Sequence, residues 1–121
     1  MLDIKEMQQK IDRLDYWDTK VLELTCEYFA DEVVLIFDRD IPKKLTFTTC
    51  YTVTFDHYWE NYRRDKPIKE WTRPQMPFFL QAINVEVGIK HNMELYAFSI
   101  DLPPMSAYIM CKDVKIENVE L

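Results

Sequence analysis

The sequence predicts an α+β domain in which an N-terminal helix packs on a curved antiparallel β-sheet of about five to seven strands, together with a short second helix. A helical hydrophobic period opens the chain, and alternating segments follow one another through short loops. Such a succession favours antiparallel pairing over βαβ crossovers. The 121 residues, 48% of them hydrophobic, fit a single domain over residues 1–121 with one buried core.

The N-terminal helix is predicted over residues 3–14, with Asp3 as its N-cap. Its apolar side chains recur at the spacing of one helical face, as Ile4, Met7, Ile11 and Leu14. Residues 19–29 then alternate with the period of a half-buried strand, so that Glu23 and Glu27 point outward. The expected inner face of this strand holds Leu22, Leu24, Cys26 and Tyr28.

Two further strands are expected after a turn near residues 30–31. Residues 33–37 are apolar on both faces, which predicts a central strand paired with the first. Residues 38–44 contain Pro42 among charged residues and are expected to form a loop. Residues 45–56 show the most regular alternation of the chain. Their expected buried side holds Leu45, Phe47, Tyr51, Val53 and Phe55.

The second half of the chain contains the short helix and the remaining strands. Thr72 and Gln75 have the spacing of a capping box, which predicts a helix over residues 74–82. Alternation then predicts strands at residues 85–89 and 96–100, and a last strand or pair of strands over residues 107–119.

Charge and cysteine content disfavour several classes of protein. The net charge of −6 repels nucleic acid and anionic lipid, so neither is expected as a partner. The longest apolar runs are much shorter than the roughly 20 residues of a membrane helix, and the N-terminus has no secretory pattern. Three widely spaced cysteines predict buried reduced thiols rather than disulfides. We therefore expect a cytoplasmic protein.

No arrangement of residues in the sequence predicts catalysis, a cofactor or a metal site. The one glycine, Gly88, excludes glycine-rich phosphate loops. The cysteines are expected in mid-strand, an environment that does not favour thiolates, so a Cys–His nucleophile with His57 or His91 is disfavoured. The ligand spacings of zinc and calcium sites are missing. A non-enzymatic binding protein is the expectation.

The acidic residues are concentrated in one part of the chain. Residues 12–40 hold nine acids and three bases, and their net charge of −6 equals that of the whole chain. An acidic surface attracts basic proteins, whereas ordinary solubility charge is the alternative interpretation. The predicted partner-binding acids lie on the outer face of the first strand, at the adjoining turn and at the far end of the next strand: Glu23, Glu27, Asp31, Glu32, Asp38 and Asp40.

A second candidate partner-binding surface combines aromatic and basic side chains in residues 58–64. Trp59 and Tyr62 belong to the residue types that are enriched at interaction hot spots. The same mixture occurs in proteins that bind single-stranded nucleic acid, but the acidic charge of the chain disfavours that partner. Packing of both aromatics over a loop at the sheet edge is the structural alternative.

The pattern of the chain resembles a known class of proteins. Tyr16-Trp17-Asp18 precedes the first alternating strand, a threonine-rich strand follows, and residues 111–117 (CKDVKIE) close the pattern. It resembles the small acidic cytosolic immunity proteins of bacterial polymorphic toxin systems, over most of the chain. The resemblance implies a non-enzymatic protein that binds a cognate toxin domain, often a basic nuclease, and blocks its active site. It implies no unique fold and no particular binding residues.

A small-ligand-binding or scaffold β domain is the alternative function. A curved sheet rich in aromatic residues would enclose an apolar ligand if its interior were hollow, whereas a filled core is the simpler expectation. A deep pocket would favour the ligand-binding alternative. The sequence predicts no particular oligomeric state.

Overall fold

The computed structural model describes residues 2–58, 67–72 and 78–120. These residues contain the helix α1 (Ile4–Asp12), a 3-10 turn (Ile68–Glu70) and six strands. No helix among them is long and apolar enough to span a membrane. The strands are β1 (Val21–Glu27), β2 (Glu32–Phe37), β3 (Lys43–His57), β4 (Ala82–Lys90), β5 (Met93–Leu102) and β6 (Met105–Asn118).

All six strands form one antiparallel sheet in the order β1-β2-β3-β6-β5-β4, which confirms the predicted sheet. The long strands β3 and β6 join two meanders of three strands each. The backbone bridge between Lys20 and Phe79 connects the segments that precede the two edge strands, β1 and β4. The Val21 amide also donates to the Phe78 carbonyl at 2.9 Å. The sheet therefore curves until its two edges approach each other.

The core lies between α1 and one face of this sheet. The Asp3 carboxylate accepts a hydrogen bond from the Glu6 amide at 2.9 Å, so the predicted N-cap and N-terminal helix are confirmed. Met7 and Ile11 are buried in the core cluster. At the centre of the cluster, the rings of Phe47 and Phe98 pack edge to face with centroids 4.9 Å apart.

Side chains from the N-terminal segment cover the free edge of β4. The Gln8 amide donates to the Ile83 carbonyl at 2.9 Å and accepts from the Val85 amide at 2.8 Å. The Tyr16 hydroxyl accepts from the Ile83 amide at 2.9 Å. An exposed strand edge is a template for pairing with another chain. These hydrogen bonds satisfy some of the backbone groups at this edge within the chain itself.

The alternation predicted along β3 is interrupted by a bulge in the middle of the strand. Thr49 has a φ of 53°, and the pairing of β3 with β6 shifts at the residues that follow it, as in a β-bulge. Phe47, before the bulge, is fully buried. Tyr51, after it, packs against a small cluster on the opposite face of the sheet, and Phe55 is 36% exposed. The predicted place of Tyr51 on the core face is therefore wrong. Val53 packs against the core as predicted, and Phe55 lies on the same face but is only partly buried.

The predicted second helix over residues 74–82 is not found in the part of that range that the structure describes. Residues 78–82 are extended and Ala82 begins β4, while residues 74–77 lie outside the described residues. The Leu80 amide donates to the Thr19 carbonyl and the Asp18 amide donates to the Leu80 carbonyl, each at 2.8 Å. Pairing with the segment before β1 thus uses the backbone groups that a helix would need.

Candidate partner-binding surface

The turn between β1 and β2 carries two exposed aromatic side chains. Tyr28, Phe29 and Ala30 have φ angles of 53°, 58° and 67°, all in the left-handed region. Tyr28 is 70% exposed and Phe29 is fully exposed. The Asp31 amide donates to the Tyr28 carbonyl at 3.0 Å, and the Cys50 amide donates to the Asp31 carbonyl at 2.9 Å. We call Tyr28 and Phe29 the aromatic tip.

The aromatic tip contributes little to the stability of the fold. Left-handed backbone costs roughly 1–2 kcal/mol for each residue other than glycine, and residues 28–30 are Tyr, Phe and Ala. The exposed ring of Phe29 offsets none of this cost by burial. Conformations that are unfavourable for folding cluster at functional sites, which singles out this turn.

The sequence interpretation placed Tyr28 on the inner face of the first strand and did not consider Phe29. That placement is wrong because β1 ends at Glu27 and the chain reverses at the next residue. Two adjacent aromatic residues in a tight turn that contains no Gly, Asn or Pro were the signal that would have identified the site.

Three of the predicted acids surround the aromatic tip. Glu27 and Glu32 are directly opposed in the antiparallel pairing of β1 and β2, and Asp31 lies in the turn between them. Glu27 and Asp31 are exposed and Glu32 is half-buried. Like charges that face each other across a strand pair destabilise it by about 0.2–1 kcal/mol. The arrangement concentrates negative charge at one end of the hairpin.

The other predicted residues do not lie in this group. Glu23 is exposed on the same face of β1 as Glu27 and lies farther along the strand. Asp38 and Asp40 are exposed at the opposite end of β2, whose six residues span roughly 20 Å. Two more predicted binding residues, Trp59 and Tyr62, lie outside the described residues.

The negative charge of the outer sheet face diminishes beyond β2. Lys44 on β3 is the pairing partner of Ile36 on β2 and of Glu117 on β6. Lys115 forms an exposed ion pair with Glu117, with 3.7 Å between Nζ and Oε2. Bases therefore alternate with acids on this half of the sheet, whereas carboxylates predominate around the aromatic tip.

A comparison with protein families places this fold in a known group. The model of the family "Immunity protein PIM7" matches residues 3–118. The chain belongs to this family. The match includes α1, all six strands and the aromatic tip, and it confirms the resemblance to immunity proteins that the sequence suggested. No curated protein matches the sequence. Membership of an immunity protein family implies a toxin protein as the partner.

The three cysteines of this PIM7 family member are unbridged. They were expected to be buried, but only Cys111 is; Cys50 is half-buried and Cys26 is exposed. Cys50 and Cys111 are paired across β3 and β6. Interaction between their thiols lowers the pKa of Cys50 and, together with burial, raises the pKa of Cys111. No group of three metal-binding side chains occurs within the described ranges.

A cleft near the start of β1 tests the ligand-binding alternative. Val21, Leu24, His57 and Phe78 contribute to its largely apolar lining, and its volume is about 210 Å³. Ligand pockets usually measure roughly 300–1,000 Å³. This cleft is smaller than that range, and two hollows of about 410 and 300 Å³ are more open depressions of the surface. The core of this PIM7 family member is filled by side chains such as Phe47. The ligand-binding alternative gains little support.

Proposed function

We propose that the chain neutralises a cognate toxin domain by binding it through the acidic β1–β2 end of the sheet and covering its active site. The observation that carries this proposal is the cluster of Glu27, Asp31 and Glu32 in a member of an immunity protein family. A toxin that acts on a polyanion has a basic active site. An acidic protein surface is complementary to such a site and competes with its substrate.

Electrostatic attraction supports this mechanism without any catalytic group. The net charge of −6 accelerates the encounter with a basic partner, and the carboxylates at the hairpin orient it. Such steering weakens with salt, because charges more than about 8 Å apart are screened at physiological ionic strength. In this proposal the protein is non-enzymatic and acts in the cytoplasm, where its three unbridged thiols would stay reduced.

The predicted acids have different roles in this proposal. Glu27, Asp31 and Glu32 form the contact, with Glu23 next to it on β1. Asp38 and Asp40, at the other end of β2, contribute to the long-range field. A second contact surface at Trp59 and Tyr62 is still a prediction.

We expect the reading frame next to the gene for this chain to encode the toxin, and the test uses the toxin domain of that product. Cells that express the toxin should survive only when the chain is co-expressed, and the purified chain should inhibit the toxin at a one-to-one ratio. Inhibition should be competitive with the toxin's substrate, as occlusion requires. Absence of protection would show that the proposed function is wrong. If the chain binds the toxin but leaves its activity undiminished, the toxin is the partner but its active site is not occluded.

A further inference from the structure

The acidic surface by itself does not explain why two aromatic side chains are exposed at the aromatic tip. We infer that Phe29 and Tyr28 anchor the complex by inserting into an apolar pocket with a basic rim on the toxin. This inference rests on the proposed function, and it names the contact that holds the partner after electrostatic attraction has brought it in.

The exposure of the aromatic tip is the first step of the argument. Tyr28 is 70% exposed and Phe29 fully exposed, so both rings keep their apolar area available for a partner. Aromatic side chains dominate interface energetics because each buries a large area with few rotatable bonds. A ring that contributes little to the fold can contribute its whole burial to a complex.

The backbone of the turn makes the aromatic tip well ordered before binding. Three consecutive residues are in the left-handed region, and hydrogen bonds hold Asp31 to Tyr28 and to Cys50 on β3. A side chain that is already in its bound position loses less entropy when the complex forms. Because a hydrogen bond holds the turn to the neighbouring strand β3, the backbone at Phe29 is held in one position.

The carboxylates around the aromatic tip define the chemistry of the pocket. Glu27 faces Glu32 directly across the strand pair, and Asp31 lies in the turn. A lysine or arginine of the partner, placed between these two carboxylates, would offset their mutual repulsion. The free chain would keep that repulsion, so the gain would favour the complex. The partner is therefore expected to have an apolar cavity for Phe29 with basic residues at its rim.

The same carboxylates disfavour the other occupants of an exposed aromatic turn. An anionic membrane surface would repel the three acids that flank Phe29. A second copy of the chain would place two acidic turns against each other, which like charges oppose. A basic protein partner satisfies both the apolar and the charged part of the site.

The test removes the ring and keeps the backbone. Asparagine adopts left-handed backbone more readily than phenylalanine, so Phe29→Asn should leave the thermal unfolding midpoint unchanged or raise it. The same variant should weaken binding to the catalytically inactivated toxin domain from the neighbouring gene by at least about tenfold, mainly through faster dissociation. Phe29→Tyr, which keeps the ring, should stay within about threefold of the parent.

Ile41→Asn is the matched control, because Ile41 is 51% exposed in the loop at the opposite end of β2. It should leave the dissociation constant unchanged. If the parent binds and inhibits while Phe29→Asn binds equally well, the anchor is refuted and the proposed function stands. If the parent itself does not bind, both fail. Self-association of the parent that Phe29→Asn abolishes without loss of toxin binding would refute the anchor in favour of a second copy.

Discussion

Cys50 on β3 and Cys111 on β6 are direct pairing partners in the sheet, and the interaction of their thiols lowers the pKa of Cys50. Burial is the main cause that raises the pKa of Cys26 on β1, and the charge of Cys50 adds to it. Three thiols that are far apart in sequence therefore lie in one part of the sheet. They differ in access, since Cys26 is exposed and Cys111 is buried.

This difference predicts an order of reactivity with a small disulfide reagent. In the native protein Cys26 should react faster than Cys111, because Cys26 is exposed whereas a buried thiol with a raised pKa is neither accessible nor ionised. Spectrophotometric thiol titration checks the order, and Cys26→Ser should remove a fast phase and leave the slow one. Protein unfolded in denaturant without prior reductant should show three free thiols. A return of one would instead indicate a disulfide, contrary to the unbridged state described above.

Unequal burial predicts unequal stability effects for two phenylalanines on β3. Phe47→Ala should lower the free energy of unfolding by about 3–5 kcal/mol, because the side chain is fully buried against Phe98. Phe55→Ala should cost only about 1 kcal/mol, because its ring is 36% exposed and loses less burial. Urea unfolding of both variants measures the difference. Equal losses would show that Phe55 is buried as fully as Phe47.

Tyr58 should make the free energy of unfolding depend on pH in the alkaline range. Burial, together with the hydrogen bond that its hydroxyl donates to Asp101 at 2.7 Å, raises its pKa to about 12. An unfolded tyrosine loses its proton near pH 10. Between about pH 10 and 12 the folded state therefore binds more protons than the unfolded state, and stability falls as the pH rises through this window.

The measurement compares urea unfolding of the parent and of Tyr58→Phe at several pH values from about 9 to 12. The variant cannot ionise at this position, so its stability should fall less steeply over the same window. Parallel curves for the two proteins would mean that Tyr58 titrates alike in the folded and unfolded states.

Local periodicity was sufficient to predict α1 and the strands, but long-range pairing was not visible in it. Asp3 and the helical spacing of Met7 and Ile11 determine α1. The capping-box spacing of Thr72 and Gln75 indicated a helix where residues 78–82 are extended, because those residues pair with the segment before β1. No local signal encodes that pairing.

Sequence reasoning predicted only part of the candidate site. Composition located the acids, and alternation placed Glu23 and Glu27 on the outer face correctly. Because β1 ends at Glu27, two residues before the predicted end, Tyr28 lies in the turn and not in the core. The left-handed turn, with Thr49 as a second case in β3, breaks the residue preferences on which sequence reasoning depends.

Paired charge reversals separate a local contact from the overall field. Glu27→Lys with Asp31→Lys should weaken binding to the toxin domain by at least about tenfold and accelerate dissociation, because both residues flank the proposed contact. The same double variant should keep or gain stability, since Lys at position 27 would face Glu32 as an opposite charge, worth about 0.2–1 kcal/mol. Surface-based binding kinetics at low and high salt, with urea unfolding, measure both effects.

The control is Asp38→Lys with Asp40→Lys, which changes the net charge by the same amount at the opposite end of β2. It should slow association modestly at low salt and leave dissociation unchanged, because distant charges act through the screened long-range field. If both double variants slow association equally and neither changes dissociation, the partner senses only total charge. The surface around Glu27 would then have no specific role, and Trp59 and Tyr62 would become the leading candidates for the contact.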